Sequence, residues 1–224
     1  MEQNITTKRL KELDALRGIA ALMVLFFHYN LLLGAKSLAI FKLGVTGVDL
    51  FFIISGFVIY MSLTKINHGL DFAINRISRL YPTYWICVTI TFLFFCYYNF
   101  DKFDIDYLIL YFKNLTMFQF YLQAKNIDES YWTLIVEMIF YLGILFLFYT
   151  QWLKHLKIIG VALCCSLIIL TQFFYHISII RKIIYYIPLL QFIPLFFAGI
   201  TFHEIYIKKK KGFNSIYYNY SVCF

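Results

Sequence analysis

This sequence has little charge. Only 14% of its 224 residues are Asp, Glu, Lys or Arg, while 62% are hydrophobic. A soluble domain carries about 25% charged and about 45–50% apolar residues, so an ordinary water-soluble core is excluded. Short segments of alternating hydrophobicity are also lacking, which argues against a membrane β-barrel. Proline occurs three times, and Pro188 and Pro194 fall in one apolar run, where they predict a kink. The five cysteines show no metal-ligand spacing with histidine, and four of them (Cys87, Cys96, Cys164, Cys165) lie inside apolar runs. They read as small buried hydrophobes, with no disulfide framework and no metal centre. The first apolar run lacks a small-residue cleavage site, is long, and is interrupted by Arg17. It stays as a span instead of leaving as a signal peptide.

What is present is a series of apolar runs near the ~20 residues that cross a ~30 Å hydrocarbon layer as a helix. The expected class is therefore an all-α polytopic integral membrane bundle. Spans are expected over 13–33, 43–63, 82–98, 131–150, 157–175 and 183–202. The run 107–122 carries Lys113, Asn114 and Gln119, and crosses only if those side chains face the bundle interior. This gives six spans, or seven if it does cross. Between spans, "DFAINRISRL" predicts a short interfacial helix with Asp71 as N-cap, and Pro82 predicts the first turn of a new helix. Polar loops are expected at Gly34, Lys36, Ser37 and Lys42 and over 99–106. Residues 1–207 form one transmembrane domain, and 208–224 a basic, irregular tail.

The formal charge of +8 is clustered at Lys8, Arg9 and Lys11, at Arg76 and Arg79, and at Lys208–Lys211. Such clusters mark cytoplasmic loops, and six spans place both ends on that side. The chain has no basic stripe outside the membrane long enough for nucleic acid. Its non-protein contact is with membrane lipids.

The first span, "LDALRGIAALMVLFFHYNLLL", carries ionisable groups where oil demands none. A helix turns about 100° per residue, so Arg17 and His28, eleven apart, differ by about 20° and lie about 16 Å apart along the axis. Asp14, three residues before Arg17, shares its face. Asp14 and Arg17 suit interfacial snorkelling as well as function. His28 is deeper, and an intramembrane ionisable residue points to function. A buried, desolvated imidazole is expected to favour its neutral, basic form. In the second span, Asp49 is a cation partner or a polar-path residue, and Ser55 and Gly56 permit close helix packing. Arg76 and Arg79 suit a multiply anionic ligand such as a pyrophosphate, or anchor lipid head groups. Glu137, five residues after Trp132, is a partner for a cation or a proton-handling group.

Four stretches in order resemble the membrane acyltransferase-3 family, the O-acetyltransferases of bacterial surface sugars. "LDALRGIAALMVLFFH" resembles its first-span Arg-x10-His, "GVDLFFIISGFVI" its second-span motif, "RISRLYP" its Arg-x-x-Arg element and "YWTLIVEMIFY" its Trp-Ser-Leu-x-x-Glu-Glu-x-Phe-Tyr segment. The resemblance implies acyl transfer, most often acetyl from acetyl-CoA as co-substrate, to a hydroxyl of a cell-envelope glycan at the bacterial inner membrane. No permanently bound cofactor is implied. It further implies catalytic roles for His28, Arg17 and Glu137, phosphate contacts for Arg76, Arg79 and Arg17, and support from Asp14, Asp49, Ser55 and Trp132. The family's second glutamate is Met138 here. The chain is shorter than the family norm, and "KKKKGFNSIYYNYSVCF" is unlike a family helix, so the resemblance implies a truncated chain. Two other readings use the same residues. A transporter or channel would use the intramembrane charges as a substrate path, and an inactive fragment would use them for nothing.

Overall fold

The computed structural model describes residues 10–32, 39–63, 66, 68–98 and 104–221, with residues 32, 39, 40 and 210–221 given by backbone alone. Lys8, Arg9, the loop of Gly34, Lys36 and Ser37, residues 99–103, Cys223 and the side chains of Lys210 and Lys211 lie outside the described residues. The helices are α1 (Lys11–Leu32), α2 (Ala39–Lys42), α3 (Thr46–Leu63), α4 (Gly69–Tyr98), α5 (Ile105–Leu115), α6 (Trp132–Tyr149), α7 (Leu156–Phe173), α8 (Ser178–Tyr186) and α9 (Leu189–Ser221). No strand occurs among the described residues. Five segments are long and apolar enough to cross a membrane: Leu43–Leu63, Gly69–Tyr98, Glu129–Tyr149, Trp152–Phe173 and Leu189–Lys209. At 22 residues α1 has the length as well, and Asp14, Arg17, His28 and Asn30 make it the more polar helix. The chain is thus an all-α, membrane-embedded protein.

The chain divides into two compact units, one of residues 1–61 with 192–224 and one of residues 62–191. In the first unit, α1 meets the turn that leads into α3 through Gly44 and Gly47. A Cβ on Gly44 would strike the Met23 carbonyl, and one on Gly47 would lie 2.7 Å from the Ala20 oxygen. Close backbone approach of this kind is how helices associate where lipid removes the hydrophobic drive. Ile54, Phe57 and Val58 of α3 form a core joined by Leu10, Leu13, Leu50 and Met61. α9 packs on α3 at Gly56 and Gly199, and Phe52 lies against Phe192 and Phe196 at ring separations of 4.9 and 5.1 Å.

In the second unit, the expected break at Pro82 does not occur. α4 runs 30 residues without interruption with Pro82 inside it, so Arg76 and Arg79 belong to the same helix as the span. Asp71 lies in the first turn and not at the cap, because the helix starts at Gly69. Proline removes one backbone hydrogen bond, and intramembrane helices tolerate that loss.

The run 107–122 does not cross. α5 is 11 residues long, about 16 Å at ~1.5 Å per residue, or roughly half of a hydrocarbon core. Asp104 starts it by accepting from the Asp106 and Tyr107 amides. Left-handed Met117 (φ 66°) and Gln123 (φ 52°) turn the chain after it. The terminal carbonyls that a helix leaves unpaired are satisfied by aromatic donors of α4. Tyr84 Oη donates to the Asn114 oxygen (2.6 Å), Trp85 Nε1 to Leu115 (3.0 Å) and Tyr81 Oη to Thr116 (2.9 Å). Asn114 is fully buried. Its amide donates to the Leu110 and Lys125 carbonyls, and its Oδ1 accepts from the Ile127 amide. Asn114→Ala strands the Lys125 carbonyl and the Ile127 amide, so a loss of about 1–3 kcal/mol is expected. A lowered melting temperature of the detergent-purified chain would record it, and an unchanged one would mean that α5 is not held through this residue.

The expected span 183–202 is two helices. Proline disfavours helical backbone in the residue before it, and the chain breaks at Ile187–Pro188 between α8 and α9, while Pro194 stays inside α9. α8 is short and amphipathic, with Arg181 and Lys182 exposed and Ile184 buried. α9 continues in helical form to Ser221, so the boundary expected at 207/208 falls within a helix.

Candidate functional site

The first unit holds Asp14, Arg17, His28, Asp49 and Ser55. α1 is unbroken from Lys11 to Leu32, so the helical phase of its polar residues is preserved. Ala20 is fully buried and marks the packed face. Arg17 and His28 lie about 60° and about 80° from it on the same flank. Arg17 Nη1 pairs with Asp14 Oδ1 at 3.5 Å, both side chains about a third exposed. His28 corrects the expectation of a buried imidazole: its side chain is exposed. The packed face of α1 is set by its contacts with Gly44 and Gly47, and His28 lies just off that face.

The imidazole is nonetheless oriented. Nδ1 lies 2.8 Å from the Val24 carbonyl oxygen one turn earlier. A carbonyl only accepts, so Nδ1 carries the proton of the neutral ring, and the lone pair is on Nε2. This is the usual way a backbone carbonyl fixes a histidine tautomer. The ring is also edge-on to Phe27, with centroids 5.5 Å apart. Asp49 is half-buried in the first turn of α3, where the helix dipole favours a carboxylate. Ser55 is half-buried beside Gly56.

The same unit contains a polar cluster that the sequence reading missed. Tyr60 Oη of α3 donates to Glu204 Oε1 of α9 at 2.9 Å. His203, 5% exposed, is packed edge-on by Phe57 and Tyr60 at centroid separations of 4.9 and 5.4 Å. Asn30 of α1 is buried as well. The adjacent pair His203–Glu204 was a usable signal, but it fell just past the expected span end at 202.

The second unit holds Arg76, Arg79, Trp132 and Glu137. The two arginines are not equivalent. Arg79 is exposed, whereas Arg76 is 7% exposed. Arg76 Nη2 donates to Ser62 Oγ at 2.8 Å, and the guanidinium carbon lies 5.4 Å from the Phe72 ring centroid and 5.8 Å from that of Tyr141. Its buried Nε has no acceptor among the described residues. Asp128 starts the turn before α6 by accepting from the Ser130 amide at 2.7 Å, which sets Trp132 as the first residue of α6, 37% exposed. One and a half turns on, half-buried Glu137 accepts from Tyr141 Oη at 2.5 Å. Met138, in the place of the family's second glutamate, is buried among apolar side chains of α6. Among the described residues, no three His, Cys, Asp or Glu side chains cluster as metal ligands.

Comparison with known proteins adds to this geometry. A family model described as an acyltransferase domain matches residues 10–218. ORF330 of Acidianus two-tailed virus, whose name assigns it provisionally to the acetyltransferases, is 31% identical over 185 residues, 82% of this chain and 53% of its own length. A protein of Shigella phage Sf6 named O-acetyl transferase is 28% identical over 143 residues, 58% of this chain and 43% of its own. The chain thus spans about half the length of these relatives. No solved structure matches.

Proposed function

We propose that this chain, which belongs to the acyltransferase-3 family, transfers an acetyl group from acetyl-CoA to a hydroxyl of a cell-envelope glycan at the bacterial inner membrane. The observation that carries this reading is the fixed tautomer of His28, which directs the Nε2 lone pair away from α1. A glycan hydroxyl donates to Nε2 and gives up its proton as its oxygen attacks the thioester carbon. The C–S bond breaks, the ester forms, and the imidazolium returns the proton to the departing CoA thiolate. Acid–base assistance of this kind contributes about 10²–10⁴-fold.

Arg17 serves the donor phosphates from the end of the α1 stripe, with Asp14 holding its guanidinium in place. Arg79 offers an exposed fork for the same chemistry, and Arg76 a buried one. Glu137 is the carboxylate of the later motif, oriented by Tyr141. Asp49, Ser55 and Trp132 support the helices that present these groups. The exposed His28 suits an acceptor that arrives from outside its unit better than one enclosed within it.

The test is reconstitution in lipid vesicles with labelled acetyl-CoA and envelope polysaccharide. A mass gain of one acetyl per modified sugar, with matching release of free CoA, is expected. Solute flux across the vesicles without CoA release would overturn the reading in favour of a transporter.

A further inference from the structure

The connection between α6 and α7 forms an open cavity of about 450 Å³, lined by Thr150, Gln151, Trp152, Lys154, His155 and Ile159. Its size falls within the ~300–1,000 Å³ of small-molecule sites. The local backbone builds it. Thr150 closes the end of α6, its hydroxyl donating to the Phe146 carbonyl at 2.9 Å. Left-handed Gln151 (φ 61°) then turns the chain, its amide bonded to the Phe148 carbonyl at 3.1 Å. The tight turn Trp152–His155 leads on into α7. The Trp152 side chain is 59% exposed, and Lys154 and His155 are exposed beside it. Among the described residues, Lys154 and His155 form no hydrogen bond or ion pair. No acidic residue occurs in the sequence from 138 to 203, so neither α7 nor the connection offers Lys154 a carboxylate. Asp71, in the first turn of α4, is not paired with it.

The cavity lies at the end of the unit where α4 begins. Gly69, the first residue of α4, lies against the rings of Phe148 and Tyr149 at the end of α6. The two helices run antiparallel, since Phe72 meets Tyr141 and Tyr84 meets Tyr131. Exposed Arg79, ten residues after Gly69, is thus about 15 Å further along α4. We propose that this cavity takes the nucleotide end of the acyl-CoA donor. The adenine lies on the Trp152 indole, and the phosphate on the ribose 3′ carbon is held by Lys154 and a His155 N–H. This rests on the reading in which the chain uses that donor. Arg79 is then left for the pyrophosphate, which joins the nucleotide to the pantetheine arm, so the order of groups along the donor matches their order along α4 and α6. A phospholipid head group offers the same phosphate, and Trp and Lys also anchor helices at a membrane surface. A head group has no base to stack. The open indole beside two unpaired donors favours a nucleotide, since stacking on an aromatic ring and charge-assisted hydrogen bonds hold its two parts.

The test uses the full chain in detergent, with binding measured by titration calorimetry. The parent should bind coenzyme A about tenfold or more tighter than 3′-dephospho-coenzyme A, the scale of one charge-assisted hydrogen bond. Lys154→Gln should lose that preference and bind the two within about threefold of each other. Trp152→Ala should weaken both by about tenfold and keep their ratio, and Trp152→Phe should restore both to within about threefold of the parent. These side chains are exposed, so the variants should match the parent in elution volume and melting temperature. Should Trp152→Ala fail to fold, Lys154→Gln and Trp152→Phe carry the test. A parent that binds both forms equally, Lys154→Gln with the parent's preference, or Trp152→Ala with the parent's affinity overturns this inference alone. So does a variant that loses binding to phosphatidylglycerol bicelles while coenzyme A binding is untouched, which assigns the cavity to lipid. A parent that binds neither coenzyme A nor its dephospho form overturns the donor reading and the inference together.

Discussion

His28→Ala is expected to lower acetyl transfer by about 10²–10⁴-fold while leaving the folded protein intact. The two halves of this expectation have one cause. The imidazole is exposed, and among the described residues its one hydrogen bond is with the Val24 carbonyl of its own helix. Removing a side chain that packs against little changes stability by about 0.5 kcal/mol or less. In the proposed mechanism, its loss removes the proton acceptor for the reacting hydroxyl and so acts on the transition state directly. The elution volume and melting temperature of His28→Ala should therefore match the parent, with kcat collapsed. Arg17→Ala should differ by raising the KM for acetyl-CoA, because in the proposed mechanism its guanidinium serves the donor and not the proton. Near-normal turnover by His28→Ala would remove the imidazole from the mechanism.

Much of the helical architecture was legible in the sequence, for physical reasons that can be located. The common stripe of Arg17 and His28 needs only that α1 be continuous, and it is. Phase gives the angle between two residues and not what either one faces. The packed face of α1 comes from glycines in the next helix and its turn, contacts remote in sequence, so the exposure of His28 was not legible. α5 shows the same limit. Its apolar length left crossing open, and its end depends on a left-handed Met117, a conformation that no methionine signals. The three prolines behave differently because context decides. Pro82 and Pro194 sit inside helices and Pro188 ends one. The pair of arginines was legible as a motif, but spacing alone did not reveal that one is buried between rings and the other exposed.

Gly199→Ala and Gly56→Ala are expected to be strongly damaging, since their Cβ atoms make the closest approaches to backbone among the described glycines. A Cβ on Gly199 would lie 1.9 Å from the Ile53 carbonyl oxygen and 2.7 Å from the Phe57 nitrogen; one on Gly56 would lie 2.0 Å from the Phe196 oxygen and 2.8 Å from its carbonyl carbon. Backbone atoms cannot rotate aside as a side chain does, so α3 and α9 must separate. Separation loosens Phe52 from Phe192 and Phe196 and stretches the Tyr60–Glu204 bond further along the same interface. Overpacking costs about 1–3 kcal/mol, and close contact is the main source of helix association in lipid. Each variant should therefore melt several degrees below the parent, and the pair together should fail to accumulate as folded protein. Gly18 and Gly143 supply the control, since among the described residues nothing lies within 4 Å of a Cβ at either. Alanine there should be neutral or stabilising by about 0.5–1 kcal/mol, the helix preference of alanine over glycine. Equal melting temperatures for Gly199→Ala and Gly18→Ala would mean that α3 and α9 do not meet through these glycines. The placement of His203 and Glu204 against Phe57 and Tyr60 would fall with that contact.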